Sequence, residues 1–211
     1  MGCRCTRSWF FLTFILVGYL AIMFLAAAGP RAIAKSSNAR AEMNWKLDPV
    51  HCMAVFRIQH MGAGMFWGKF NDVKGTVSYP EDGSEAPKFN VQVAVKSVDT
   101  GTEKLNKTIM GPQFFNAKEW EEITFTSTGA ERIDEKNWKV KGNLTMHGVT
   151  KPIEALVEVT GVIGNPVQKK AGFEAVFSIK RSDYGMDWGV KNRALGDEVR
   201  LVIGLEGDWK R

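Results

Sequence analysis

Histidine and cysteine are scarce in this chain, three of each in 211 residues. Acidic residues are missing altogether before Glu42, whereas Arg4, Arg7, Arg31, Lys35 and Arg40 all precede it. The net charge of +5 therefore belongs to the N-terminus; from residue 42 onward, 23 positive and 23 negative side chains balance. A neutral body has no electrostatic footprint for gripping phosphates, which argues against nucleic acid as a partner. The chain contains no H-E-x-x-H, G-x-S-x-G or Cys-x-x-Cys motif and no Gly-rich phosphate loop. His51 and His60 lie an odd number of positions apart on one expected strand, so they face opposite sides and cannot share a metal. Cys52 and His60 share a face but stand roughly 26 Å apart at strand rise, far beyond the ~3 Å reach of a nucleophilic dyad. No catalytic residue, no metal ligand and no cofactor is assigned.

What is present begins with an uncharged run of 20 residues, Trp9 to Ala28, behind Arg4 and Arg7 and ahead of Ala32-Ile33-Ala34. A basic segment, an apolar segment and an A-x-A site are the parts of a secretory signal peptide. Residues 1–34 are expected to be that leader, 35–43 a linker, and 44–211 the working domain. A run of about 20 apolar residues also spans a bilayer as a helix, so an uncleaved anchor facing the periplasm is the alternative. Both readings deliver the body across a membrane, to the periplasm or the exterior. Met1-Gly2-Cys3 fits a myristoylation pattern, but the apolar run behind it argues for export. With Cys3 and Cys5 in the leader, Cys52 stands alone and a cleaved chain has no internal disulfide.

From Trp45 onward the apolar pattern has period two. Phe89, Val91, Val93 and Val95 alternate with mostly polar residues, as do Phe173, Ala175, Phe177 and Ile179, and Val199, Leu201, Ile203 and Leu205. Further strands are expected at 51–60, 66–78, 122–127, 131–143 and 152–162, and one short helix near 112–122. Pro80–Ser84, Asp134–Asn137 and Gly164-Asn165-Pro166 carry turn chemistry. This pattern predicts an all-β antiparallel fold of about eight strands, either a sandwich or a closed barrel. Nine Phe and six Trp in the body suit a barrel around an apolar ligand or a core filled with rings; periodicity does not choose between them.

The residues themselves resemble a known family. Trp45-Lys46-Leu47-Asp48-Pro49 before His51, Phe56-Arg57-Ile58-Gln59-His60, Gly111-Pro112-Gln113-Phe114-Phe115-Asn116 and Ile123-Thr124-Phe125-Thr126-Ser127 are similar to the YceI family of bacterial exported lipid- and polyisoprenoid-binding proteins. The likeness is strongest over Gly142–Pro152, with its Met146-His147-Gly148 bend. It continues through Arg181-Ser182-Asp183-Tyr184-Gly185-Met186 and Gly196-Asp197-Glu198-Val199, and runs in order from about residue 44 to the end. The resemblance implies an extended eight-stranded, lipocalin-like barrel with a long apolar tunnel, binding a polyisoprenoid, isoprenoid quinone or similar long-chain amphiphile. No chemistry and no cofactor is implied.

On that reading the expected wall is Phe56, Ile58, Val91, Val93, Val95, Phe114, Phe115, Leu144, Phe177 and Ile179, with His60, His147 and Arg181 at a polar mouth. Membrane contact through the leader or during ligand exchange, and a homodimer, complete the expected partners. Two positions depart from the family pattern. Cys52 replaces a usual Ser, and Leu105-Asn106-Lys107-Thr108-Ile109 stands where relatives often carry Arg-Asp-x-His-Leu. Twenty buried carbons supply roughly 16 kcal/mol gross at about 0.8 kcal/mol per CH2, and ordering costs remove half or more. The missing charged run is therefore expected to alter head-group preference more than binding. The competing readings are an enzyme acting on such a lipid or quinone, and a membrane-tethered, stress-linked adaptor with a filled core.

Overall fold

The computed structural model describes residues 43–210, and the leader, Cys3, Cys5 and most of the linker lie outside them. Eleven strand segments form one antiparallel sheet: β1 (Asn44–Leu47), β2 (Met53–His60), β3 (Gly64–Phe70), β4 (Val73–Ser78), β5 (Lys88–Ala94), β6 (Val98–Asp99), β7 (Glu122–Arg132), β8 (Asn137–Met146), β9 (Val149–Gly164), β10 (Gln168–Lys180) and β11 (Leu195–Lys210). Pairing of Lys46 with Asp208 and of Leu47 with Gly207 closes that sheet on itself.

The segments make eight staves, because three staves are each broken once. β1 and β2 run on in one direction on either side of a turn in which the His51 amide donates to Asp48 O and the Asp48 carboxylate accepts from the Val50 amide. Both halves pair with β11. β3 and β4 form a second stave, and β5 and β6, joined by the 3-10 turn Val95–Ser97, form a third. The fold is thus an eight-stranded closed antiparallel barrel, as expected.

Alternation decides which side chains enter. Phe89, Val91 and Val93 of β5 are buried between exposed Lys88, Asn90 and Gln92; inward residues leave water while their neighbours keep it. One end of the barrel is filled. Trp45, Val77, Val140, Val157 and Phe173 are all buried there, and the Trp45 indole donates to Tyr79 O at 2.8 Å. The Phe173 ring packs edge-on against Tyr79 and Phe89, with centroids 5.7 and 5.5 Å apart.

The helix differs from its expected place. Residues 112–120 form successive turns instead, in which the Phe114 and Asn116 amides both donate to Gly111 O and Asn116 takes a positive φ of 45°. That backbone cannot continue a helix. The helix, α1, is Glu103–Ile109, two turns carrying a Glu103–Lys107 ion pair at i, i+4. Among the described residues, no helix is long and apolar enough to cross a membrane.

Candidate ligand-binding cavity

At the end opposite the Trp45 plug, the staves part and the interior is hollow. A cavity of about 510 Å³ lies under α1 and the 110–121 turns, within the range of ordinary ligand sites. Phe56, Ile58 and His60 enter it from β2, Leu144 from β8, Ile179 from β10, and Phe114 and Phe115 from the turns. Arg181 lies at its edge. A second, inner chamber of about 90 Å³ is lined by Val91, Val93, Leu144 and Phe177, among others. Phe70, Ile123, Leu144 and Leu201 line both chambers and form the waist between them. The two chambers follow one another along the bore and share those four side chains.

The mouth is built around Arg181. It follows β10 in the 3-10 turn Arg181–Tyr184, is only 4% exposed, and pairs with no carboxylate among the described residues. Its guanidinium donates to the carbonyls of Gly196 (2.7 Å), Met186 (2.6 Å), Trp188 (2.7 Å) and Leu195 (3.1 Å). Two of those carbonyls become available because β11 departs from its register with β2 between Leu195 and Val199. In the same stretch Asp197 accepts from both the amide and the hydroxyl of Ser182, at 3.0 and 2.9 Å. Burial pulls the Arg181 guanidinium below its ordinary value, and the charges of Asp197 and Asp187 oppose that pull.

Two expected site residues stand outside both chambers. Val95 is buried in the 3-10 turn after β5, with its amide bonded to Glu121 O. His147 sits in the two-residue turn from β8 to β9, where His147 and Gly148 have φ of 52° and 74°, as a tight hairpin of this hand requires. Its Nδ1 lies 2.8 Å from Tyr184 O. A carbonyl only accepts, so that nitrogen carries the proton. The imidazole also meets the Trp120 ring edge-on at 4.1 Å, so His147 ties the β8–β9 turn to two mouth segments and has no nitrogen free at Nδ1 for a head group.

Other lining residues escaped sequence reasoning. Leu105, Thr108 and Ile109 of α1 face the cavity together, the i, i+3, i+4 stripe of one helix face. They belong to the very segment that departs from the family's charged run, so an apolar roof stands here. Met186 and Trp188 come from the long connection into β11; nothing periodic marks that stretch.

Polar groups elsewhere have local work. Cys52 is 2% exposed, and its Sγ bridges the β11 backbone, 3.4 Å from Glu206 O and 3.2 Å from Glu206 N. Asp48, His51 and Glu206 bring ligand-type atoms within 4.8 Å of one another, but the Lys170 ammonium already pairs with Glu206 and Asp208.

A closed barrel, plugged at one end and hollow at the other behind an almost wholly apolar wall, defines a lipocalin-like binding barrel. The chain belongs to the YceI family: the YceI-like domain model matches residues 45–207. A UPF0312 protein of Pectobacterium atrosepticum is 33% identical over 195 residues, 91% of this chain and 95% of that protein. Among solved structures, the Campylobacter jejuni YceI protein is 30% identical with a TM-score of 0.66, covering 73% of this chain and 91% of that one. A polyisoprenoid binding domain from Saccharophagus degradans, implicated in plant cell wall breakdown, shares the fold at 16% identity and a TM-score of 0.59, over 79% and 98% of the two chains.

Proposed function

We propose that this protein is an exported carrier that buries the chain of a long amphiphile, isoprenoid or similar, in the outer chamber of its barrel, with the head group at the Arg181 mouth. The observation that carries the reading is the 510 Å³ cavity and the chemistry of its wall. Aliphatic and aromatic side chains make nearly all of it, while His60, Gln113, Thr108 and Arg181 supply the polar atoms. Among the described residues no carboxylate and no cysteine lines it, so the wall favours burial of a chain over acid–base chemistry. A cavity many water volumes in size, at ~30 Å³ each, supports a carrier over an adaptor with a filled core. The S. degradans domain is a polyisoprenoid-binding protein built on the same barrel. The leader expected at residues 1–34 would take the body out of the cytoplasm to meet such lipids at a membrane.

Titration of the protein with a polyprenyl alcohol, followed by quenching of the tryptophan emission to which the cavity-lining Trp188 contributes, tests this. Saturable quenching is expected, with weaker uptake by Ile179→Trp, whose larger ring takes part of the outer chamber. Equal affinity in the narrowed variant would place the lipid elsewhere and overturn the reading.

A further inference from the structure

At the waist between the two chambers Phe70 stands against two rings of the outer chamber, Phe56 and Phe115. Phe70, 3% exposed, lines both chambers. Its ring lies 5.7 Å from Phe56, tilted by 46°, and 5.4 Å from Phe115, edge-on at 86°. Phe56 holds its position because the residue paired with it across β2 and β3 is Gly68. A Cβ on Gly68 would stand 2.3 Å from Phe56 Cζ and 2.8 Å from Cε1, so the ring lies on bare backbone, flat against the wall. The far side of the barrel repeats this: Phe125 covers Gly142, where a Cβ would come within 2.4 Å of two ring carbons. The glycines thus let two large rings sit in the wall without filling the bore. Past Phe70 the space falls from about 510 to about 90 Å³, and beyond that Phe89, Phe173 and Tyr79 close the barrel.

We infer that Phe70, with Phe56 seated on Gly68, sets the maximum length of the ligand chain. The inference rests on the carrier reading and specifies its ligand: a single chain that enters tail first, fills the outer chamber, and ends at the Phe70 ring with at most its tip in the inner one. Length is measured from the mouth, where polar side chains keep the head group, to a fixed aromatic stop. The two residues act in opposite senses. Removing the Phe70 ring joins the chambers and lengthens the bore. Adding a methyl at Gly68 lifts the Phe56 ring off the wall into the outer chamber and shortens it; the atom displaced is the free end of a side chain, so the barrel itself need not shift.

The test is a graded series of straight-chain alcohols and all-trans prenyl alcohols, with affinity read by displacement of anilinonaphthalene sulfonate from the full chain. The wild type is expected to gain affinity with each added carbon up to a cut-off and then to stop. Phe70→Ala moves the cut-off to longer chains and Gly68→Ala to shorter ones, and each two methylene groups so gained or lost change affinity about tenfold. Circular dichroism checks the fold; if Phe70→Ala does not fold, Phe70→Leu carries the same comparison with a smaller displacement. A cut-off common to the wild type and every folded variant overturns the inference and leaves the carrier reading standing. A wild type that binds no member of either series overturns both.

Discussion

Cys52 and Arg181 are buried polar residues whose partners are backbone atoms of β11 and its approach. For Cys52, burial is the main cause that pushes the thiol upward, and the thiolate is the reactive form. A disulfide-exchange reagent is therefore expected to leave Cys52 untouched in the folded protein and to label it at once in denaturant; rapid labelling of the native protein would contradict the packing described. The linkage has a definite sign. An acid raised on folding favours its neutral form, so its stabilisation is complete below the free thiol's value, about 8.5, and fades as pH rises above it. For Arg181, truncation would leave four carbonyls without donors at the mouth. Arg181→Met is expected to lower stability by about 2–4 kcal/mol in urea denaturation, with lipid release accelerated as the 185–195 connection loosens. Tyr184 in the same turn, its hydroxyl buried without a partner and its pKa pushed up to about 12 by burial, stays neutral throughout.

At the scale of elements, the turns hold the barrel's register and its roof. In the β7–β8 hairpin the Asp134 carboxylate accepts from the amides of Lys136 and Asn137, both at 2.9 Å, and those bonds keep it below the usual carboxylate range. A depressed acid stabilises the fold above its unfolded value and loses that contribution as pH falls. Protection of the 133–137 amides, corrected for intrinsic exchange, should therefore fall below about pH 4, and Asp134→Ala should remove the pH dependence of that protection. At the other end Trp120 rests on Gly148, where a Cβ would come within 2.6 Å of the indole nitrogen. Gly148→Val is expected to cost roughly 1–3 kcal/mol, from its left-handed backbone and the displaced indole, and to raise exchange in the 110–121 turns.

Strands with strict alternation, such as β5, β10 and β11, are legible directly in the sequence, because burial on one face imposes period two wherever the barrel is regular. Their inward residues Val91, Val93, Phe177, Ile179, Val199 and Leu201 consequently appear in the chamber walls. The helix is not legible. Seven residues give only two turns, and Leu105 and Ile109 acquire meaning from the hollow beneath them. The aromatic turns at 112–120 look helical by composition, yet Gly111, Pro112 and the positive φ of Asn116 bend them otherwise. His147 reads as a mouth residue, and only the fold brings Tyr184 O and the Trp120 ring to it. The burial of Arg181 depends on carbonyls 5 to 15 residues further on, in the connection into β11 and its irregular first residues, which have no local signature.

For the whole molecule, the asymmetry of the interior is the central fact. One end is packed around Trp45 and Phe173 and carries stability; the other is hollow and carries the site. Substitutions in the plug should therefore lower stability while leaving the ligand preference of the folded fraction unchanged, whereas substitutions in the outer chamber should alter ligand preference at smaller cost. The direct test of the account is native mass spectrometry of the protein purified from cells without added lipid, followed by solvent extraction and identification of what is released. The account predicts one long-chain amphiphile per barrel, at lower occupancy in the Ile179→Trp variant. Protein that carries no lipid in any preparation and takes up no isoprenoid chain on incubation would contradict it.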